Sequence, residues 1–189
     1  ALKDVHPCIA CEKCHSAVSA CVFRDDFDEL RDELIAADAV VFLTPIYYYG
    51  MTAQIKTVID RFYAIDGEIH NNKKTALMMA FADTTMESAQ GAMASYYGMV
   101  DYLGWEIVDV IAAGKSQTPE DVLNSDFPKQ AYELGKKILG VVKDEPEFGA
   151  ATSLNDLVAR LANFSQIAEE AIKETEEKDV FLDGMDFFE

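Results

Sequence analysis

Positive charge is scarce in this sequence: 16 lysines and arginines stand against 34 aspartates and glutamates, a formal net charge of −18. Such a balance repels phosphate backbones and anionic lipid headgroups, so neither nucleic acid nor a membrane surface is an expected partner. Long apolar runs are missing as well. None approaches the roughly 18 to 20 residues that span a bilayer, and no positively charged start leads into an apolar leader segment, so a cytoplasmic protein is expected. Cysteine is limited to four residues, all between positions 8 and 21. Cys8, Cys11 and Cys14 are too crowded for disulfides that close long loops, which leaves reduced thiols or thiolate ligands.

What is present suffices for a sizeable core: 189 residues, half of them hydrophobic, fit one domain with room for an appendage. In "DDFDELRDELIAAD" the residues Phe27, Leu30, Leu34 and Ile35 recur at helical spacing, with Asp25 and Asp26 near the favourable N-terminal end. "AVVFL" (39–43) is a continuous apolar, β-branched run closed by Thr44 and Pro45, as in a strand covered on both faces. "MTAQIKTVIDRFYAI" places Ile55, Val58, Ile59 and Phe62 on one helical face. The alternation continues with a strand over "TALMMAFA" (75–82), a helix over "MESAQGAMASYYGMVDYL" ending at Gly104, and a strand over "EIVDVIAA" (106–113). A polar loop and the helix "FPKQAYELGKKIL" follow. Strands alternating with helices predict an α/β fold, a doubly wound, mostly parallel sheet.

Beyond about residue 142 the composition shifts. "KDEPEFGAATS" reads as a linker, and Ser153 can cap a helix carrying Leu154, Leu157, Val158, Leu161 and Phe164 on one stripe. From Lys143 onward there are 13 acids and 4 bases, a net −9, half of the total charge. This acidic C-terminal extension is expected either to dock with a solvated acidic face or to serve a partner.

In open α/β sheets ligands bind beyond the C-terminal ends of the strands. The first such loop is Pro45, Ile46, Tyr47, Tyr48, Tyr49 and Gly50: flat aromatic surfaces beside a glycine, suited to a planar heteroaromatic cofactor or to packing under a neighbouring helix. The second is Ala82, Asp83, Thr84 and Thr85, whose polar groups can bind a ring carbonyl or cap the helix that follows.

"PCIACEKC", "DDFDEL", "ADAVVFLTPIYYYGMTAQIKTVIDRF" and "YLGW" resemble the flavodoxin-like NAD(P)H-dependent FMN reductases and, more narrowly, the iron–sulfur flavoproteins. The resemblance runs from about residue 5 to 139. It implies a flavodoxin-like fold, FMN as cofactor, NAD(P)H as a candidate electron donor, a homodimer, and a small-molecule or protein redox partner. Residues 45–50 would then lie against the isoalloxazine, with 82–85 at its other edge. No catalytic residue is implied, because the cofactor carries the chemistry.

The spacing C-x2-C-x2-C-x6-C is similar to the motif by which iron–sulfur flavoproteins hold a [4Fe–4S] cluster, which makes Cys8, Cys11, Cys14 and Cys21 candidate ligands. Metal-free thiols and zinc remain open. Zinc more often takes C-x2-C pairs set farther apart. His15 could substitute as a ligand or be a surface residue, and His6 and His70 carry no functional reading. Lys56, Asp60 and Arg61 read as helix-face ion pairs.

The resemblance also implies an N-terminal strand and a phosphate-cradling loop ahead of the cysteines, and none is recognisable before Cys8. A fragment, a partner polypeptide, or a circular permutation in which "ILGVV", a loop, the helix from Leu154 and "DVFLDGM" replace that unit would each account for this. Three functions stay in view: a redox flavoprotein with a cluster relay, a metal-free FMN or quinone reductase, and a non-enzymatic interaction scaffold.

Overall fold

The computed structural model describes residues 3–16 and 21–140. Helix α1 (Phe27–Ala36) precedes strand β1 (Ala39–Tyr47), which turns back on the two-residue β2 (Gly50–Met51). Then come α2 (Ala53–Arg61), α3 (Asp66–Ile69), β3 (Lys74–Ala80), α4 (Gln90–Leu103), β4 (Glu106–Ala113), α5 (Pro119–Leu123) and α6 (Phe127–Leu139). The sheet order is β2–β1–β3–β4, with β1, β3 and β4 parallel and β2 antiparallel to β1. The expected α/β alternation is therefore present.

Two apolar layers hold the sheet. On one face Phe42 and Leu77 meet Phe62, Tyr96, Val100 and Trp105; on the other, Leu134 of α6 covers Ala76 and Ile111. Three buried polar side chains in the larger layer are satisfied. Tyr96 donates to Thr75 Oγ1 at 3.2 Å, Thr75 donates to the Val40 carbonyl at 2.9 Å, and Trp105 donates to the Ile69 carbonyl at 2.6 Å.

Two element boundaries differ from expectation, and a third falls where the sequence places it. β1 does not stop at Thr44 and Pro45 but runs on to Tyr47, pairing Pro45 with Ala80 and Ile46 with Met51. Proline is tolerated there because, among the described residues, β1 is an edge strand from 39 to 45 and hydrogen-bonds to β3 alone. Val41 and Leu43 stand on the face shared with Ala76, 44% and 56% exposed, beyond the reach of α6. The helix expected through residue 65 breaks at Arg61 into the 3-10 turn Phe62–Ile65 and α3, which aims Phe62, Ile65 and Ile69 into the core. Finally, Ile138 and Leu139 finish α6, and Gly140 caps it at φ +65°. They do not open the strand that a permuted unit beginning at "ILGVV" requires. The rest of that reading, and the extension 143–189, lie outside the described residues. Among the described residues, no helix is long and apolar enough to cross a membrane.

Candidate functional site

Because β1, β3 and β4 are parallel and in register, Pro45, Ala80 and Ala113 end side by side, and the loops that follow open on one edge of the sheet. The loop after β1 is a two-residue hairpin. Tyr48 and Tyr49 both take positive φ, 48° and 66°, as a type I′ turn requires and as asparagine and glycine would adopt more easily. Two aromatic residues held there store about 1–3 kcal/mol each, while Tyr48 is fully exposed and Tyr47 and Tyr49 are more than half exposed. The root of the turn is tied. Thr44 donates to the Pro45 carbonyl at 2.8 Å and accepts the Thr52 N–H at 3.2 Å, and Thr52 caps α2 at Ile55.

Gly91, in the first turn of α4, lies beneath this hairpin. A Cβ there would stand 2.4 Å from the Tyr49 carbonyl oxygen, a main-chain atom that cannot swing aside. Gly91→Ala is expected to cost about 1–3 kcal/mol in overpacking, read as a shift of the urea unfolding midpoint with an unchanged slope.

In the loop after β3 the Asp83 carboxylate ties the loop to itself and caps neither the 3-10 turn Met86–Ala89 nor α4. The Asp83 carboxylate accepts the N–H groups of Thr84 and Thr85 and the hydroxyl of Ser88. The Ser88 hydrogen bond and those N–H groups hold its pKa below the usual carboxylate range. Thr84 and Thr85 face a cleft shared with Gly114, Lys115, Asn124 and Phe127; Tyr47, Tyr48 and Tyr49 do not line it. The third strand-end loop is pinned to the second, Lys115 N–H to the Asp83 carbonyl and Ser116 N–H to the Phe81 carbonyl, at 2.9 and 3.0 Å. Ser116 Oγ is buried without a partner among the described residues. Its only sequence signal is the polar stretch "GKSQT" at a strand end.

All four cysteines line one pocket of about 340 Å³, open solvent included. The loop that brings them together passes through left-handed residues at Ala10 and Glu12 and closes with the 3-10 turn Lys13–His15. That turn is fastened to the segment after α2. His15 Nε2 donates to the Tyr63 carbonyl at 2.8 Å, the two rings lie 4.4 Å apart, and the Tyr63 hydroxyl donates to Glu12 at 2.9 Å. His15 thus anchors the loop. Burial pushes the Cys14 thiol up, and nearby Cys21, Cys8 and Glu12 add to this against a backbone hydrogen bond that lowers it. Among the described residues no three His, Cys, Asp or Glu side chains converge as one metal ion demands, with ligands about 2 Å from a common centre.

Arg61 departs from its expected place on a helix face. It is 1% exposed, donates from Nη1 to the His6 carbonyl at 3.0 Å and to Asp25 Oδ2 at 2.8 Å, and is flanked by the rings of Phe23 and Phe27. Lys56 and Asp60 do form the expected i,i+4 pair. Asp25 gathers Arg61, the His6 N–H at 2.9 Å and the Phe27 N–H at 3.1 Å, while Asp26 accepts the Asp4 N–H at 2.7 Å. Both ends of the cysteine segment are therefore held by one buried ion pair. Burial alone would raise the Asp25 carboxyl, but the Arg61 hydrogen bond, the two backbone N–H groups and the Arg61 charge outweigh it and hold it low.

Parallel strands, helices on both faces and loops gathered at the strand ends define a flavodoxin-like α/β domain. The chain belongs to the NADPH-dependent FMN reductase family, whose model matches residues 1–114. An iron-sulfur flavoprotein of Archaeoglobus fulgidus is 32% identical over 139 residues, 72% of this chain and 60% of that protein. The iron-sulfur flavoprotein MJ1083 of Methanocaldococcus jannaschii is 27% identical over 149 residues, 75% of this chain and 77% of the relative. The chain thus spans less than two thirds of the first relative's length. Among solved structures, the Trp repressor binding protein of Bacillus subtilis shares the fold, with a TM-score of 0.52 at 18% identity over 63% of this chain and 78% of that one.

Proposed function

We propose that this chain is a flavin-dependent oxidoreductase in which FMN lies against Pro45, Ile46, Tyr47, Tyr48, Tyr49 and Gly50, with Ala82, Asp83, Thr84 and Thr85 at the ring's other edge. Cys8, Cys11, Cys14 and Cys21 would hold a [4Fe–4S] cluster. Bound there, the flavin supplies hydride and single-electron chemistry, and the cluster supplies one-electron steps between an NAD(P)H donor and an acceptor. The observation that carries the cluster is the convergence of all four cysteines on one pocket; family membership supports the flavin.

The protein's own residues orient and exclude. The strained tyrosine turn presents flat surfaces for stacking, and Thr44, Thr52 and the bare Cα of Gly91 fix its height above α4. His15, Tyr63 and Glu12 hold the cysteine loop to the end of the helix that begins at that turn. A metal-free FMN or quinone reductase is the second reading, favoured by the exposure of Cys8 and Cys11.

Absorbance of the full chain purified without oxygen decides. Flavin bands with a broad cluster shoulder, and about four iron and four sulfide per chain, are expected. Flavin bands without iron select the second reading. A colourless protein that takes up no added FMN overturns both and leaves an interaction scaffold.

Replacing Tyr48→Asn and Tyr49→Gly together should separate fold from function. The exchange is expected to raise stability by about 1–3 kcal/mol as the turn relaxes. It should weaken FMN binding about tenfold, since each aromatic contact is worth about 0.5–1.5 kcal/mol. Unfolding curves and flavin fluorescence titrations read the two opposite signs.

A further inference from the structure

We propose that Arg61 is the charge partner of the cysteine pocket: a positioning residue that donates hydrogen bonds to the cluster's sulfurs and sets its reduction potential. This rests on the cluster reading above. Arg61 is the one basic residue lining the pocket among the described residues. Its Nη1 is spent on His6 and Asp25, but Nε and Nη2 are buried with no hydrogen-bond partner among the described residues. A buried donor left unmade costs about 1–3 kcal/mol, more when it is charged, so three N–H groups of one guanidinium call for an acceptor.

The guanidinium carbon lies over the rings of Phe23 and Phe27, 5.5 and 4.7 Å from their centroids, and neither ring offers those N–H groups a lone-pair acceptor. Asp25, which neutralises the charge, does not line the pocket, whereas Arg61 does. Of the two partners it is thus the cation that borders the cysteines. The acidic groups that line the same pocket are otherwise engaged, Glu12 with Tyr63 and Asp60 with Lys56. Four thiolates around a [4Fe–4S] core carry net negative charge, and their sulfurs are acceptors, so this donor set fits the group.

The consequence concerns one electron. An electron delivered to a cluster held there would make the site one unit more negative, with no bond or proton changing place, until an acceptor removed it. Arg61 stabilises the more negative state and so makes reduction easier.

The test is an EPR-monitored redox titration of the full chain purified without oxygen, with dithionite as reductant, beside iron and sulfide assays. Arg61→Gln is expected to retain the cluster and shift the reduction equilibrium at least tenfold against the reduced form, 59 mV for one electron. Arg61→Lys keeps the charge and the Asp25 pair but loses the Nε and Nη2 donors. It is expected to move the same way by less, and it carries the test if the glutamine variant does not fold. Clusters at the wild-type potential in the folded variants would overturn the assignment. So would loss of the cluster from Arg61→Lys with an unchanged far-UV circular dichroism spectrum, which would reduce Arg61 to a structural clasp. A wild-type chain without iron or sulfide would overturn the cluster reading itself, and this one with it.

Discussion

Asp25→Ala is expected to lower the stability of the full chain by about 3–5 kcal/mol, the cost of leaving a buried charge without its partner. Against a typical total of about 5–15 kcal/mol, that is enough to bring the α/β domain close to unfolding. Three losses combine. Arg61, 1% exposed, keeps its charge with the His6 carbonyl as its one remaining protein acceptor among the described residues; the N–H groups of His6 and Phe27 lose their acceptor; and the two ends of the cysteine segment keep only the tie between Asp4 and Asp26 among these. Asp25→Asn, which preserves shape and one carbonyl, is expected to cost less. Urea unfolding at pH 7 measures both, and a loss under about 1 kcal/mol for the alanine variant would contradict the buried pair's role.

The same carboxylate gives the pH dependence its sign. Its folded-state pKa lies below the ordinary value of about 3.9. The stability it contributes is therefore fully present above that value and is lost as pH falls through the lower folded-state value. The native protein should lose stability below about pH 4, and Asp25→Asn should lack that share of the acid-induced loss.

Cys14→Ser is expected to remove the cluster altogether, taking iron and sulfide from about four per chain to traces while FMN uptake survives. Cys14 sits in the 3-10 turn that His15 fastens to Tyr63, and it is half-buried where Cys8 and Cys11 are exposed. It is the least free of the four to be replaced by a solvent ligand. A serine hydroxyl fills nearly the same space but ionises far less readily than a thiol, so it does not supply the anionic ligand the site requires. The tyrosine turn hangs on Thr44, Thr52 and Gly91, none of which lines the cysteine pocket. Flavin binding and cluster content should therefore separate. Retention of full iron and sulfide in this variant would remove Cys14 from the ligand set.

The strands and helices were legible because each is written in its own periodicity: β4 over 106–113 and α6 over 127–139 fall where the apolar pattern places them. The aromatic hairpin was legible as composition but not as geometry. Nothing in "YYYG" announces that Tyr48 and Tyr49 take the left-handed conformation, since isolated tyrosines avoid it and only the closure of β1 on β2 imposes it. Asp83 showed another limit: composition marked a helix start, but the carboxylate is spent within its own loop, on the N–H groups of Thr84 and Thr85 and on the Ser88 hydroxyl.

The sequence by itself determined the alternating α/β order, the acidic charge balance and the spacing of four cysteines within fourteen residues, because these depend only on near neighbours along the chain. Only the tertiary structure decided what Arg61 is. Helical spacing places it one residue beyond Asp60, where a surface ion pair is the natural reading. Its actual partners, Asp25 and the carbonyl of His6, lie 36 and 55 positions away and meet it only when the cysteine segment folds onto the end of α2. Burial turns that meeting from a weak surface contact into the clasp of the cysteine pocket, because a guanidinium withdrawn from water must find its acceptors within the fold.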